Sequence, residues 1–165
     1  MTADEAAARQ QEALACANQK DWDCAFGVLT QLMREEDYGT VVPPQNQEVL
    51  LLNFAASGMY FSEGMDAESV KSVTASALNS VAAGYYDAPA ERSALAESMF
   101  LLLRAESCDT MGDTACAVEA MQELTDMKSL QGWEYFPLTY LKRSDGSAMK
   151  DVLARLETTY GDQLQ

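Results

Sequence analysis

Residues 13–25 read ALACANQKDWDCA, and residues 105–117 read AESCDTMGDTACA. A shift of 92 lays Ala13 on Ala105, Cys16 on Cys108, Asp21 on Asp113, Cys24 on Cys116 and Ala25 on Ala117. It also lays Leu32 on Leu124. In both copies a helical run ends in a short polar break, and apolar positions then resume at helical spacing. The reading is a duplicated helix–turn–helix, with a break short enough to make the two helices antiparallel.

Helical periodicity continues outward from these hairpins. Upstream of the first break, the Ala-rich stretch Asp4–Gln19 presents Ala6, Ala13 and Ala17 as a flat face for close packing. After Lys20-Asp21, residues Trp22, Ala25, Phe26, Leu29, Leu32 and Met33 form the inner stripe of a second helix. Tyr38-Gly39 through Pro43-Pro44 reads as a loop, because two prolines forbid helix continuation. A third helix, about Asn46–Ser62, is apolar on nearly all sides, as a central buried helix would be, and Gly64 ends it. Asp66 can cap a fourth helix burying Val70, Val73, Ala77 and Val81.

Gly84–Asp87 breaks the chain, and Pro89 suits a first helical turn. The fifth helix, to about Thr110, turns Leu95, Met99, Leu102 and Leu103 inward. After Gly112-Asp113 a sixth helix buries Ala117, Val118, Met121 and Leu124. Trp133-Glu134-Tyr135-Phe136-Pro137 is irregular, and the aromatics of 133–140 line a binding groove or cover the core end as a lid. A last helix, about Ser147–Tyr160, carries Met149, Val152, Leu153, Leu156 and Tyr160 on one face before Gly161 as a stop signal. No strand pattern emerges. The expectation is one all-α domain over residues 1–165.

Composition narrows function. At 165 residues and 48% apolar, the chain can bury a core without staples. Its longest apolar run, Val49–Ala56, is broken by Asn53 and is too short to span a bilayer, so no membrane insertion is expected. With 11 Lys and Arg against 26 Asp and Glu, the net charge is −15. Such a charge repels nucleic acid and anionic lipid and permits a basic protein partner. Histidine is absent, which removes Ser-His-Asp and Cys-His catalysis, the commonest metal ligand and the usual general base.

No other constellation replaces it. Glu35-Glu36 and Asp21 with Asp23 read as solvated surface and helix caps. Asp109–Asp113 lacks the alternating acids and closing Glu of a calcium loop. The nine methionines fit a core better than a peptide groove. The chain reads as a non-enzyme with no metal and no cofactor.

Four cysteines in two equal pairs indicate disulfides, with reduced core thiols and a metal site as the alternatives. Seven intervening residues suit zinc poorly. The pairing expected is Cys16–Cys24 and Cys108–Cys116, and cross-hairpin pairing is the rival. Disulfides imply a periplasmic or secreted protein, and the opening Met-Thr-Ala-Asp-Glu reads as mature sequence from which a leader has been removed.

The hairpins resemble the tetratricopeptide-repeat superfamily, which sets a small residue in its first helix and another twelve positions later. Ala13/Ala25, Ser57/Ser69 and Ala105/Ala117 match that spacing, followed four later by Leu29, Val73 and Met121. The resemblance spans about residues 6–130 as three hairpins, leaving a C-terminal capping helix. It implies a scaffold or adaptor that binds a peptide or protein on a concave side lined by first helices. Gln10, Asn18, Phe54, Phe61, Met99 and Glu106 hold those positions. Two other roles suit an acidic helical body: an immunity-type inhibitor that blocks a toxin or enzyme, and a secretion chaperone.

Overall fold

Thr2 starts the first helix, α1 (Ala3–Asn18), through a capping box: its hydroxyl accepts from Glu5 N at 3.1 Å while Glu5 accepts from Thr2 N at 2.7 Å. The chain then turns at Lys20 and enters α2 (Trp22–Met33). In the computed structural model, residues 1–82, 90–127 and 141–165 are described, with 90–95 described in backbone only. The expected break at 84–87, Pro89, the side chain of Leu95 and the aromatic segment 133–140 lie outside them.

The architecture is all-α among the described residues. After α2 come a single turn, α3 (Tyr38–Val41), then α4 (Pro44–Ser62), α5 (Ala67–Ala82), α6 (Ala90–Thr110), α7 (Thr114–Met127) and α8 (Met149–Tyr160). The strand-like feature present is one antiparallel bridge, Lys142 to Ala148.

The two cysteine hairpins are the same object built twice. Lys20 N–H donates to Ala17 O (2.9 Å) and Asp21 N–H to Cys16 O (2.9 Å); Gly112 N–H donates to Asp109 O (3.0 Å) and Asp113 N–H to Cys108 O (2.9 Å). This paired closure ends a helix on a left-handed residue, here Lys20 (φ 59°) and Gly112 (φ 74°). The next residue caps the following helix: Asp21 accepts from Cys24 N and Asp113 from Cys116 N, both at 3.1 Å. Each Cys thus flanks a turn whose backbone is closed on both sides. Cys16 and Cys24 are disulfide-bonded with Cα atoms 5.8 Å apart, and Cys108 and Cys116 with Cα atoms 5.7 Å apart, within the span a disulfide bridges.

Between the hairpins the arrangement is less regular. The segment read as a loop holds the one-turn α3, because Tyr38 is wholly buried and the Gln47 amide donates to Gly39 O and Val42 O. Helix α4 is central, packed between α2 and α6, with Leu51, Phe54 and Ala55 fully buried. Helix α5 lies mainly on α6 and touches α4 at few places, so the middle pair is splayed where the outer two are closed. Its buried stripe includes Thr74 and Ser80, whose hydroxyls donate to Lys71 O and Ser76 O; Val73 is only half-buried.

Among the described residues the core joins the eight helices around Phe26, Phe54 and Phe100, with Phe26–Phe54 centroids at 5.3 Å and Phe54–Phe100 at 5.1 Å. At the C-terminus Gly161 does not stop the chain in a left-handed turn. Its φ is −54°, and the helix tightens into a 3-10 turn over Gly161–Gln163.

Candidate functional site

The first hairpin leaves an open groove against α4. Gln10, Ala13, Leu14 and Ala17 of α1 form one wall, Leu50, Asn53, Ala56 and Ser57 of α4 the other, and Trp22 and Leu29 of α2 lie between, enclosing about 170 Å³. The α1 wall is a 10/14/17 stripe, one face of a helix by its spacing. One end is firm, because Trp22 stacks on Tyr60 at 4.6 Å between centroids. Among the described residues the large hydrophobics left exposed are Leu14 (49%), Val49 (55%) and Met111 (44%). Leu14 lines this groove, and Val49 stands one turn before Asn53 on α4. Of the three, Leu14 is the one in the groove lining.

Of the six residues assigned to the concave side, Gln10 lines the groove. Asn18 is exposed at the end of α1, and Phe61 is half-buried, stacked on Phe26 at 5.4 Å. Phe54 (0% exposed) and Met99 (2%) are a correction: they are core. Both sit on helices covered on several sides, so a position facing inward meets another helix before it meets solvent.

Glu106 belongs to a different construction. Arg143 donates to both its carboxylate oxygens, and Arg155 of α8 reaches it at 3.3 Å. Arg155 also donates to Asp109 at 3.0 Å, and the Tyr160 hydroxyl donates to Asp109 at 2.5 Å. That donation holds the Tyr160 phenol above its ordinary pKa. Nearby, Ser144 donates to Glu63 through N–H (3.0 Å) and hydroxyl (2.5 Å), and Tyr60 donates to Lys142 O at 2.9 Å. These bonds fasten α8 and the 142–144 segment to α4 and α6, beside a pocket of about 400 Å³ floored by Met59, Val70 and Leu103. Its acids are turned to protein partners, which makes it a joint of the fold.

Four other acids follow the same pattern. Asp66 accepts from Ser69 N and Oγ, both at 2.9 Å, which lowers its pKa. Asp145 is lowered by Ser147 in the same way. Asp109 and Asp113 are spent on α8 and on the α7 cap. Glu97 stands apart: burial, and then the Glu123 charge, raise its pKa. Among the described residues no group of three or more His, Cys, Asp or Glu is placed to hold a metal ion. No helix among them is long and apolar enough to cross a membrane.

The groove was partly legible through Gln10; Leu14, Asn53 and Trp22 were missed. Leu14 offered a signal, a large apolar residue on the outer side of a helix whose inner side is alanine. No family model matches the chain, and neither a curated protein nor a solved structure matches it.

Proposed function

We propose that this chain is a non-catalytic, tetratricopeptide-like interaction module of a periplasmic or extracellular compartment, and that it engages its partner through the α1/α4 groove. The observation that carries the reading is the exposed Leu14 side chain in the lining of a helix-walled concavity. A concave, mostly apolar lining that leaves a large apolar side chain exposed is the usual form of a binding site. The two cysteine pairs at bonding distance support an oxidising compartment and weigh against a cytosolic secretion chaperone.

The test is a photo-crosslinking residue at position 14, with position 111 as the surface control, in the native host. A discrete adduct from position 14, absent from position 111 and lost when Asn53→Arg is added on the opposite wall, is expected. Adducts of equal yield from both positions, or none from position 14, defeat the reading.

A further inference from the structure

The duplication carries information about what the groove receives. The shift of 92 that equates the hairpins lays Gln10, Leu14 and Ala17 on Leu102, Glu106 and Asp109. In the second hairpin this face is bonded to protein partners: Leu102 is buried, Glu106 holds Arg143 and Arg155 at the wall of the 400 Å³ pocket, and Asp109 holds Arg155 and Tyr160. Arg143 precedes α8, while Arg155 and Tyr160 belong to it, an amphipathic helix burying Met149, Val152, Leu156 and Tyr160 with basic Arg155 at its edge. In the first hairpin the same face borders open space, with Leu14 half exposed. Because both hairpins close with the same backbone and capping bonds, the second displays what this face accepts.

We infer that the α1/α4 groove binds an amphipathic helical segment of a partner protein, with an apolar stripe about two turns long flanked by basic residues; this rests on the interaction-module reading above. The length follows from the wall, since positions 10 to 17 span about 10 Å of helix. A helix is favoured over an added strand because the walls are helices and present no sheet edge. The basic flank follows from charge. Residues 1–63 hold ten Asp and Glu against three Lys and Arg, and of those three Arg9 pairs with Glu35 while Arg34 is bound by Ser76 and Ser80. A second copy would carry the same net charge of −15, which opposes self-association and favours a cationic partner.

The probe is a labelled synthetic 14-residue peptide with leucines at i, i+3, i+4 and i+7 and lysines beside them, titrated by anisotropy against the whole oxidised chain. Its comparisons are a peptide with glutamates replacing the lysines and one of the same composition with the leucines spread around the helix. Binding of the Lys-flanked amphipathic peptide is expected to weaken about tenfold in Leu14→Asp, and about tenfold when the leucines are spread. It is expected to stay unchanged in Met111→Asp. Leu14→Asp adds negative charge, so a loss there cannot come from weaker attraction of lysine; Leu14→Ala, expected to weaken binding in the same direction, is the milder variant if the first perturbs folding.

Equal binding of the rearranged peptide means charge alone and overturns the inference. Preference for the Glu-flanked peptide with Leu14 dependence retained overturns it while leaving the groove reading standing. Loss of Leu14 dependence with every peptide overturns both. A concentration-dependent dimer abolished by Leu14→Asp makes the occupant a second copy and overturns it too.

Discussion

Gly58 of α4 lies so close to Phe100 of α6 that a Cβ on it would fall 2.5 Å from the ring, and 2.9 Å from the ring of Phe26. Both rings are buried in the central aromatic cluster and cannot swing aside into solvent. The missing side chain is what lets α4 sit between the two hairpins. Gly58→Ala is expected to destabilise by about 1–3 kcal/mol, after a helix-propensity gain of roughly 1 kcal/mol is overcome. Gly27→Ala on α2, where nothing lies within 4 Å, is expected to stabilise by up to about 1 kcal/mol. Urea unfolding of the two variants separates the effects; a Gly58→Ala protein as stable as its parent would refute the close approach.

Lys20 and Gly112 occupy the same left-handed position of the two hairpins, with different side chains and the same bonds. A residue with a Cβ pays about 1 kcal/mol there, and glycine does not. Gly112→Ala is therefore expected to cost about 1 kcal/mol even though the added carbon meets nothing within 4 Å. Lys20→Gly relieves the same strain but loosens the unfolded chain by about 0.4–1 kcal/mol, so its net effect should be near zero. The informative quantity is the contrast: equal stability changes for the two variants would contradict the shared turn.

What the sequence disclosed here follows from the range of the interactions. The hairpin turns and their cysteines lie within eight residues of each other, so spacing and turn chemistry suffice to read them. The splay of α4 from α5 is set by how each meets α6, a tertiary matter that the twelve-residue spacing of Ser57 and Ser69 does not encode. Thr74 and Ser80 escaped as core because a hydroxyl that bonds back to its own helix carbonyl loses its polar cost. Phe54 and Met99 were misplaced because α4 and α6 are apolar on most sides, which leaves the sequence no stripe to orient them. Glu106 bonds Arg143 and Arg155, which stand 37 and 49 residues further on, a separation that no local spacing announces.

Glu97 links stability to pH. Burial and the nearby Glu123 raise its pKa in the folded chain above the unfolded value. The folded state therefore binds that proton more tightly, and the site favours folding most below the ordinary glutamate range. That advantage is lost as pH rises through the raised value. Glu97→Gln keeps the shape and removes the charge, so it should raise the unfolding temperature at pH 7 and change it little near pH 4. Thermal unfolding at both values checks this; a stability gain that is larger in acid would reverse the sign and reject the assignment.

The two disulfides are equal in length of loop and unequal in shelter. Cys108 is fully buried and Cys116 is 7% exposed, whereas Cys16 and Cys24 are both half-buried. Thiol–disulfide exchange needs an attacking thiolate to reach sulfur, so access sets the order of reduction. Limiting reductant is expected to open Cys16–Cys24 first, in the folded protein, while Cys108–Cys116 waits on local unfolding. Each loop closes over a sequence separation of 8, for which chain entropy gives about 2.5 kcal/mol, so serine replacement of either pair should cost a similar amount. Differential alkylation with peptide mapping reads both the pairing and the order. Cross-hairpin peptides would overturn the pairing, and simultaneous opening would overturn the order. Early loss of Cys16–Cys24 has a further consequence, because Cys16 adjoins Ala17 in the groove wall. Freed of that tie, α1 should yield its end of the wall first, and the affinity of a groove-bound peptide should fall with the first disulfide and not with the second.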